Sequence, residues 1–159
     1  MPTCVYKQGL DTIATQVKTL ADAIDTTLVP ETAIMPRKLD WDDLQNFPGV
    51  ALCWSEDVDH RDSLGTSDRD ARAYPAYIIM KAPQRFQWDN RQENLTLLKQ
   101  NLARYFNHKR RLGAVSDTGT NQFTCRVLDS GPTPPRRVRA KWDVHTLTIL
   151  MWLLEPRTA

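Results

Sequence analysis

The chain has 159 residues, of which 41% are hydrophobic and 25% charged, and its formal net charge is +2. That length suits a single domain, residues 1–159, able to bury roughly 68–70% of its unfolded surface. The longest uninterrupted apolar run, Ile149–Leu154, falls far short of the roughly 20 residues that span a bilayer, and the start of the chain lacks the basic and apolar regions of a signal peptide.

Charge is unevenly distributed. Between Ser55 and Arg72 stand Glu56, Asp57, Asp59, Asp62, Asp68 and Asp70 against Arg61, Arg69 and Arg72. Between Arg104 and Lys141 the balance reverses, with Lys109, Arg110, Arg111, Arg126, Arg136, Arg137 and Arg139 among the cations and only Asp117 and Asp129 opposing them. One chain thus offers an acidic and a basic segment through which copies can meet head to tail. Cys4, Cys53 and Cys125 are odd in number and show no metal-ligand spacing. Cys53 and Cys125 sit in apolar runs, where a reduced thiol behaves as a small hydrophobe.

In chain order, Leu10, Ile13, Val17, Leu20, Ile24 and Leu28 recur every three or four residues and predict an amphipathic helix ended by Pro30. Residues 36–46 read as a connection in which Asp40 caps a short turn, Trp41–Gln45. After the break Phe47-Pro48-Gly49, Val50, Leu52 and Trp54 predict one face of a strand. Ser55–Tyr74 reads as a long polar loop. Pro75 opens a second strand, Ala76–Lys81, which is apolar on both faces and therefore central. Asp89 caps a second helix, with Gln92 completing a variant of the capping box. Leu95, Leu98, Leu102, Tyr105 and Phe106 form its buried face, and Lys109–Arg111 and Gly113 mark its end.

Phe123, Cys125 and Val127 alternate with Thr124 and Arg126 as in a half-buried strand. Residues 130–137, with three prolines, read as a stiff connection without regular structure. The last strand, Trp142–Leu154, begins half exposed and ends apolar on both faces, so something is expected to pack over Trp152. The fold class that follows is α+β: one domain in the order α-β-β-α-β-β, a mostly antiparallel sheet with two helices on one face.

Motifs for chemistry are missing. There is no nucleophile elbow, phosphate loop, dinucleotide fingerprint or HExxH, and the chain has six glycines. Neither a cofactor nor a catalytic residue is expected. Asp57, Asp59, His60 and Asp62 imitate a metal site, but carboxylates on an unbraced loop bind divalent ions weakly. Arg136, Arg137, Arg139 and Lys141 form the best candidate for an anion or nucleic-acid contact. Equally, they can pair with acids of the same or a neighbouring subunit.

This layout resembles the tail-terminator and tail-completion proteins of long-tailed bacteriophages, the lambda-like tail terminators among them. The resemblance runs from about Leu10 to Arg157. It rests on the N-terminal amphipathic helix, the strand opening Phe47-Pro48-Gly49-Val50-Ala51-Leu52, the polar loop, the second helix, and the closing strand ending Leu154-Glu155-Pro156-Arg157. It implies a non-enzymatic virion protein of the phage neck: a homohexameric ring that caps the tail tube and performs head–tail joining. The implied partners are further copies of the chain, the tail-tube protein and a head-side connector protein. DNA would pass through the channel without sequence-specific binding and no membrane would be involved. The implied location is the virion, with assembly in the host cytoplasm.

On that reading the assembly interface draws on Arg136, Arg137, Arg139 and Lys141 and on Glu56, Asp57, Asp59, Asp62, Asp68 and Asp70. The linker Val29–Asn46 and the Pro/Arg segment depart from the pattern and also suit a head-side neck or head-completion protein. Two further readings stay open: a small nucleic-acid-binding module using 109–111 and 136–141, and a small enzyme built around His60 and the acidic loop.

Overall fold

A computed structural model of the chain describes residues 4–26, 37–38, 40–41, 49–54, 69–84, 87–108, 124–128 and 131–156. The elements in order are α1 (Val5–Asp22), β1 (Arg37–Lys38), β2 (Gly49–Trp54), β3 (Arg69–Pro83), α2 (Asn90–His108), β4 (Thr124–Leu128), α3 (Arg136–Arg139) and β5 (Trp142–Pro156). The strands form one sheet in the order β1-β2-β3-β5-β4. All neighbours are antiparallel except β1 and β2. The class is α+β as the periodicity predicts, with the two short elements β1 and α3 added to the expected order.

Helix α1 forms because Leu10, Ile13, Ala14, Val17 and Ala21 share one face, and all five are buried. It ends at Asp22, earlier than the apolar stripe suggests. The turn Ile24 N–H to Ala21 C=O (3.0 Å) closes it, with Ile24 at the margin of the core. Leu28 and Pro30 lie outside the described residues. Tyr6 pins the first turn: its ring stacks on Tyr74, with centroids 4.5 Å apart, and its hydroxyl donates to the Pro75 carbonyl. Helix α2 starts where Asp89 predicts. The Asp89 carboxylate accepts from the Gln92 N–H at 2.9 Å, an N-cap bond that satisfies one orphan donor of the first turn. Gln92 does not complete the box; its side chain reaches β5 instead.

Both helices lie on one face of the sheet. The main core joins Leu10, Ile13 and Val17 of α1 and Leu95, Leu98, Leu102 and Phe106 of α2 to Val50, Leu52, Ile78, Met80, Leu147, Ile149, Met151 and Leu153 of the strands. Gly49 enters β2 with φ 117°, a conformation open to glycine and strained for other residues. Of the predicted break Phe47-Pro48-Gly49, Gly49 alone lies among the described residues, and it opens β2.

Three expectations need correction. First, β3 begins at Arg69, so residues 69–74, including Asp70, are strand and not the end of a loop. Its 15-residue ladder with β5 runs from Arg69↔Pro156 to Pro83↔Trp142. Backbone pairing with the apolar end of β5 supplies the order that charged side chains conceal in sequence. Pro75 therefore sits within the strand. It is tolerated because the β2 register ends at Cys53↔Tyr77, leaving Leu150 as the described neighbour of Pro75. Second, Arg136–Arg139 is a single helical turn within the segment expected to lack regular structure. Third, the end of β5 is not buried on both faces. Met151 and Leu153 are fully buried against the helices, while Leu150 and Trp152, on the other side, are half-buried.

Candidate functional site

Strand register divides the sheet into two faces of different character. Opposite the helices stand Ala51 and Cys53 of β2, Ala73, Tyr77, Ile79 and Lys81 of β3, Trp142, Val144, Thr146, Thr148, Leu150 and Trp152 of β5, and Arg126 of β4. A small second core of Ala51, Cys53 and Ile79 forms here, covered by Trp41, Tyr77 and Val144. Of the predicted turn Trp41–Gln45, Trp41 lies among the described residues and Asp42–Gln45 lie outside them.

Across the same face runs the Pro/Arg segment. Gly131 lies so close to β5 that a Cβ there would stand 2.5 Å from both Cβ and Oγ1 of Thr146, so no side chain fits at 131. Pro135, at φ −62° and ψ 155°, opens α3. Its carbonyl accepts from Val138 N–H (3.0 Å) and Arg139 N–H (3.1 Å). The turn closes with Ala140 N–H to Arg136 C=O and Lys141 N–H to Val138 C=O, and the Gln84 N–H donates to the Lys141 carbonyl.

Such a short helix has no stability of its own. It holds because proline presets the backbone and Val138, 2% exposed, anchors it. One anchored residue then leaves the others pointing outward: Arg136, Arg137, Arg139 and Lys141 are all exposed. Beneath this end of the sheet, buried Lys81 places its ammonium 4.5 Å from the Trp142 ring centroid, a cation–π contact.

The structure therefore brings together the four basic residues of the predicted interface. Of the acidic set, Asp70 falls on β3 opposite Glu155 in the register, and Glu56, Asp57, Asp59, Asp62 and Asp68 lie outside the described residues. So do His60, Lys109–Arg111 and Gly113. Among the described residues, no three His, Cys, Asp or Glu side chains are grouped to hold a metal ion. No described helix is long and apolar enough to cross a membrane.

Two features escaped the sequence reading. On the helix face, at the start of β5, Gln92 donates from Nε2 to Asp143 Oδ2 at 2.8 Å and ties α2 to the sheet. His145 is two residues along the same face, and burial lowers its pKa, with Lys99 adding to the effect and Asp143 opposing it. The i, i+2 spacing of Asp143 and His145 was a signal that they share a face, but nothing local pointed to α2 as the partner. The second is an apolar groove of about 320 Å³ lined by Cys4, Tyr6, Lys7, Leu10 and Trp54. Lys7 at its rim is paired with Asp11 at 2.7 Å.

All three cysteines are free thiols. Cys53 is fully buried, and Cys125 donates to the Phe106 carbonyl, with burial pushing its pKa up to about 11. A thiol held protonated in this way makes a poor nucleophile.

Comparison with protein-family models, with curated proteins and with solved structures finds no match to this chain.

Proposed function

We propose that this protein is a non-enzymatic assembly subunit of the bacteriophage neck, a tail-terminator ring component that caps the tail tube and joins it to the head. The reading rests on the resemblance in layout described above. One observation gives it a physical basis: the two long helices cover one face of the sheet, while the other carries half-buried Tyr77, Leu150 and Trp152 beside a pinned turn displaying four cations. An apolar strip rimmed by charge suits a protein–protein contact.

Electron microscopy of the purified chain, alone and after mixing with isolated tail tubes, tests the proposal. Closed rings of uniform copy number seated on tube ends are the expected result. A chain that neither forms rings nor binds tubes would refute it. A second reading, a nucleic-acid-binding module, draws on the same exposed Arg136, Arg137, Arg139 and Lys141. Duplex-DNA affinity that falls steeply with salt, without ring formation, would favour it.

A further inference from the structure

One end of the sheet carries an indole in water. Trp88, just ahead of α2, is 68% exposed, the most exposed large apolar side chain among the described residues. Its place is braced: the next residue, Asp89, accepts from the Gln92 N–H, and Gln92 bonds Asp143 at the start of β5. Leu97, 42% exposed, lies one helical turn beyond exposed Glu93 on the same face of α2. Tryptophan is highly buried on average and is enriched among the anchors of protein contacts.

The apolar groove has the walls such an anchor needs. Tyr6, Leu10 and Trp54 line about 320 Å³ beside exposed Cys4. Lys7 stands at the rim, where an ammonium can lie over an indole face. Charge agrees as well. Lys7 and Asp11 flank the groove, and exposed Arg91 and Glu93 flank Trp88, so docking can set cation against carboxylate on each side.

Groove and indole do not meet within one molecule. Tyr6 of the groove donates to the Pro75 carbonyl, while Gln92 holds the start of α2 at Asp143, opposite Ala82. Pro75 and Ala82 are seven residues apart on one strand, roughly 23 Å at about 3.3 Å per residue. A second copy supplies the indole without distorting either.

We infer that Trp88 of one copy inserts into the groove of the next, between its Tyr6, Leu10 and Trp54. This rests on the assembly reading above and names the two surfaces that join. They are unlike and lie apart, so the contact is heterologous and builds a ring where its rotation closes, or a filament where it does not. The indole buries roughly 150–250 Å² as the anchor, and Leu97 with the flanking charges extends the contact.

The test measures self-association of the full chain by sedimentation velocity, for the parent, Trp88→Ala and Cys4→Trp. The first variant removes the anchor, and the second fills the groove from its own copy. Circular dichroism and thermal melting check that each folds. If Cys4→Trp does not, the parent alkylated at exposed Cys4 with N-phenylmaleimide replaces it. Each altered form is expected to associate at least about tenfold more weakly than the parent. Mixed, the two should pair and stop at a heterodimer, because one keeps only a free groove and the other only a free Trp88. On mild oxidation Gln87→Cys should cross-link to Cys4 of the next copy in a ladder beyond the dimer, and Gln87→Cys with Cys4→Ser should not.

Association of Trp88→Ala within about twofold of the parent overturns the inference and gives the groove to another occupant. A parent that stays monomeric at every concentration reached also overturns it, as does a mixture without heterodimer or a cysteine pair that fails to cross-link. Normal assembly by Trp88→Ala with lost binding to a single-stranded oligonucleotide overturns it in favour of a stacking platform. The ring reading fails or stands separately. Trp88-dependent filaments or dimers keep this contact and exclude the ring, while rings indifferent to Trp88→Ala keep the ring and exclude the contact.

Discussion

The two faces of one sheet differ in how they are covered, and the difference teaches how a single set of strands can serve both stability and contact. On the helix face, Val50, Leu52, Ile78, Met80, Leu147, Ile149, Met151 and Leu153 join residues of α1 and α2 in one buried core. On the other face, cover comes from Trp41 and from a stiff segment held at Gly131 and Val138, leaving Tyr77, Leu150 and Trp152 half-buried. Long amphipathic helices bury area in bulk. A proline-braced turn buries little but fixes what it presents.

The largest test of that contrast compares one aromatic from each side. Phe106, on the inner face of α2, is fully buried, so Phe106→Ala should cost about 3–5 kcal/mol through lost transfer energy and the cavity left behind. Trp152→Ala, on the outer face, should cost about 1–2 kcal/mol, as partial burial predicts. Urea denaturation measures both; equal losses would mean that the faces are equally packed.

Next in size is the seam of the outer face. A methyl at position 131 would collide with Thr146, so Gly131→Ala should destabilise by about 1–3 kcal/mol. Adding Thr146→Ala should recover only part of this, since the Thr146 Cβ is itself one of the two atoms in the way. Full recovery in the double-mutant cycle would place the strain elsewhere.

Asp89 lies at the mouth of the helix face. Asp89→Ala removes the N-cap bond to Gln92 N–H and should cost about 1 kcal/mol in a thermal melt analysed as two-state. Asp89→Ser should keep most of that stability, since a serine hydroxyl also caps well.

The smallest effect is the pH dependence owed to His145. Burial lowers its pKa below the ordinary 6.5, so the unfolded chain takes up the proton first as pH falls. The His145 contribution to stability is therefore present above about pH 6.5 and declines as pH drops from there toward the folded value. His145→Gln should flatten the stability profile in that window. An unchanged profile would assign the slope to carboxylates.

Much of the helix face was legible in the sequence because burial there leaves a period. Val50, Leu52 and Trp54 alternate, and Leu95, Leu98, Leu102 and Phe106 step by three and four residues. The outer face was harder to read. Residues 69–74 look like loop because Arg69, Asp70 and Arg72 carry charge, and only their pairing with the last residues of β5 makes them strand. The helical turn at 136–139 hid behind three prolines that disfavour a long helix but permit a short one, with Pro135 just ahead of its first turn. Of the candidate site, the cluster of cations could be read from composition. Its position depended on one valine and one glycine whose roles exist only in the folded chain. The Gln92–Asp143 bond links residues 51 positions apart, and local spacing carries no record of such a pair.

The position of β5 also bears on how the chain acquires its fold. β5 is the last described element, yet it lies between β3 and β4, and both pair with it along their described lengths. During synthesis the ribosome delivers β3, α2 and β4 before the strand that joins them. Until Trp142–Pro156 emerges, β3 has only β2 beside it and β4 has no described strand partner. Contacts spanning so much of the sequence form slowly. The nascent protein thus carries an unfinished sheet edge until Trp142–Pro156 has been made, and a chain cut short before this strand would leave β3 and β4 unjoined.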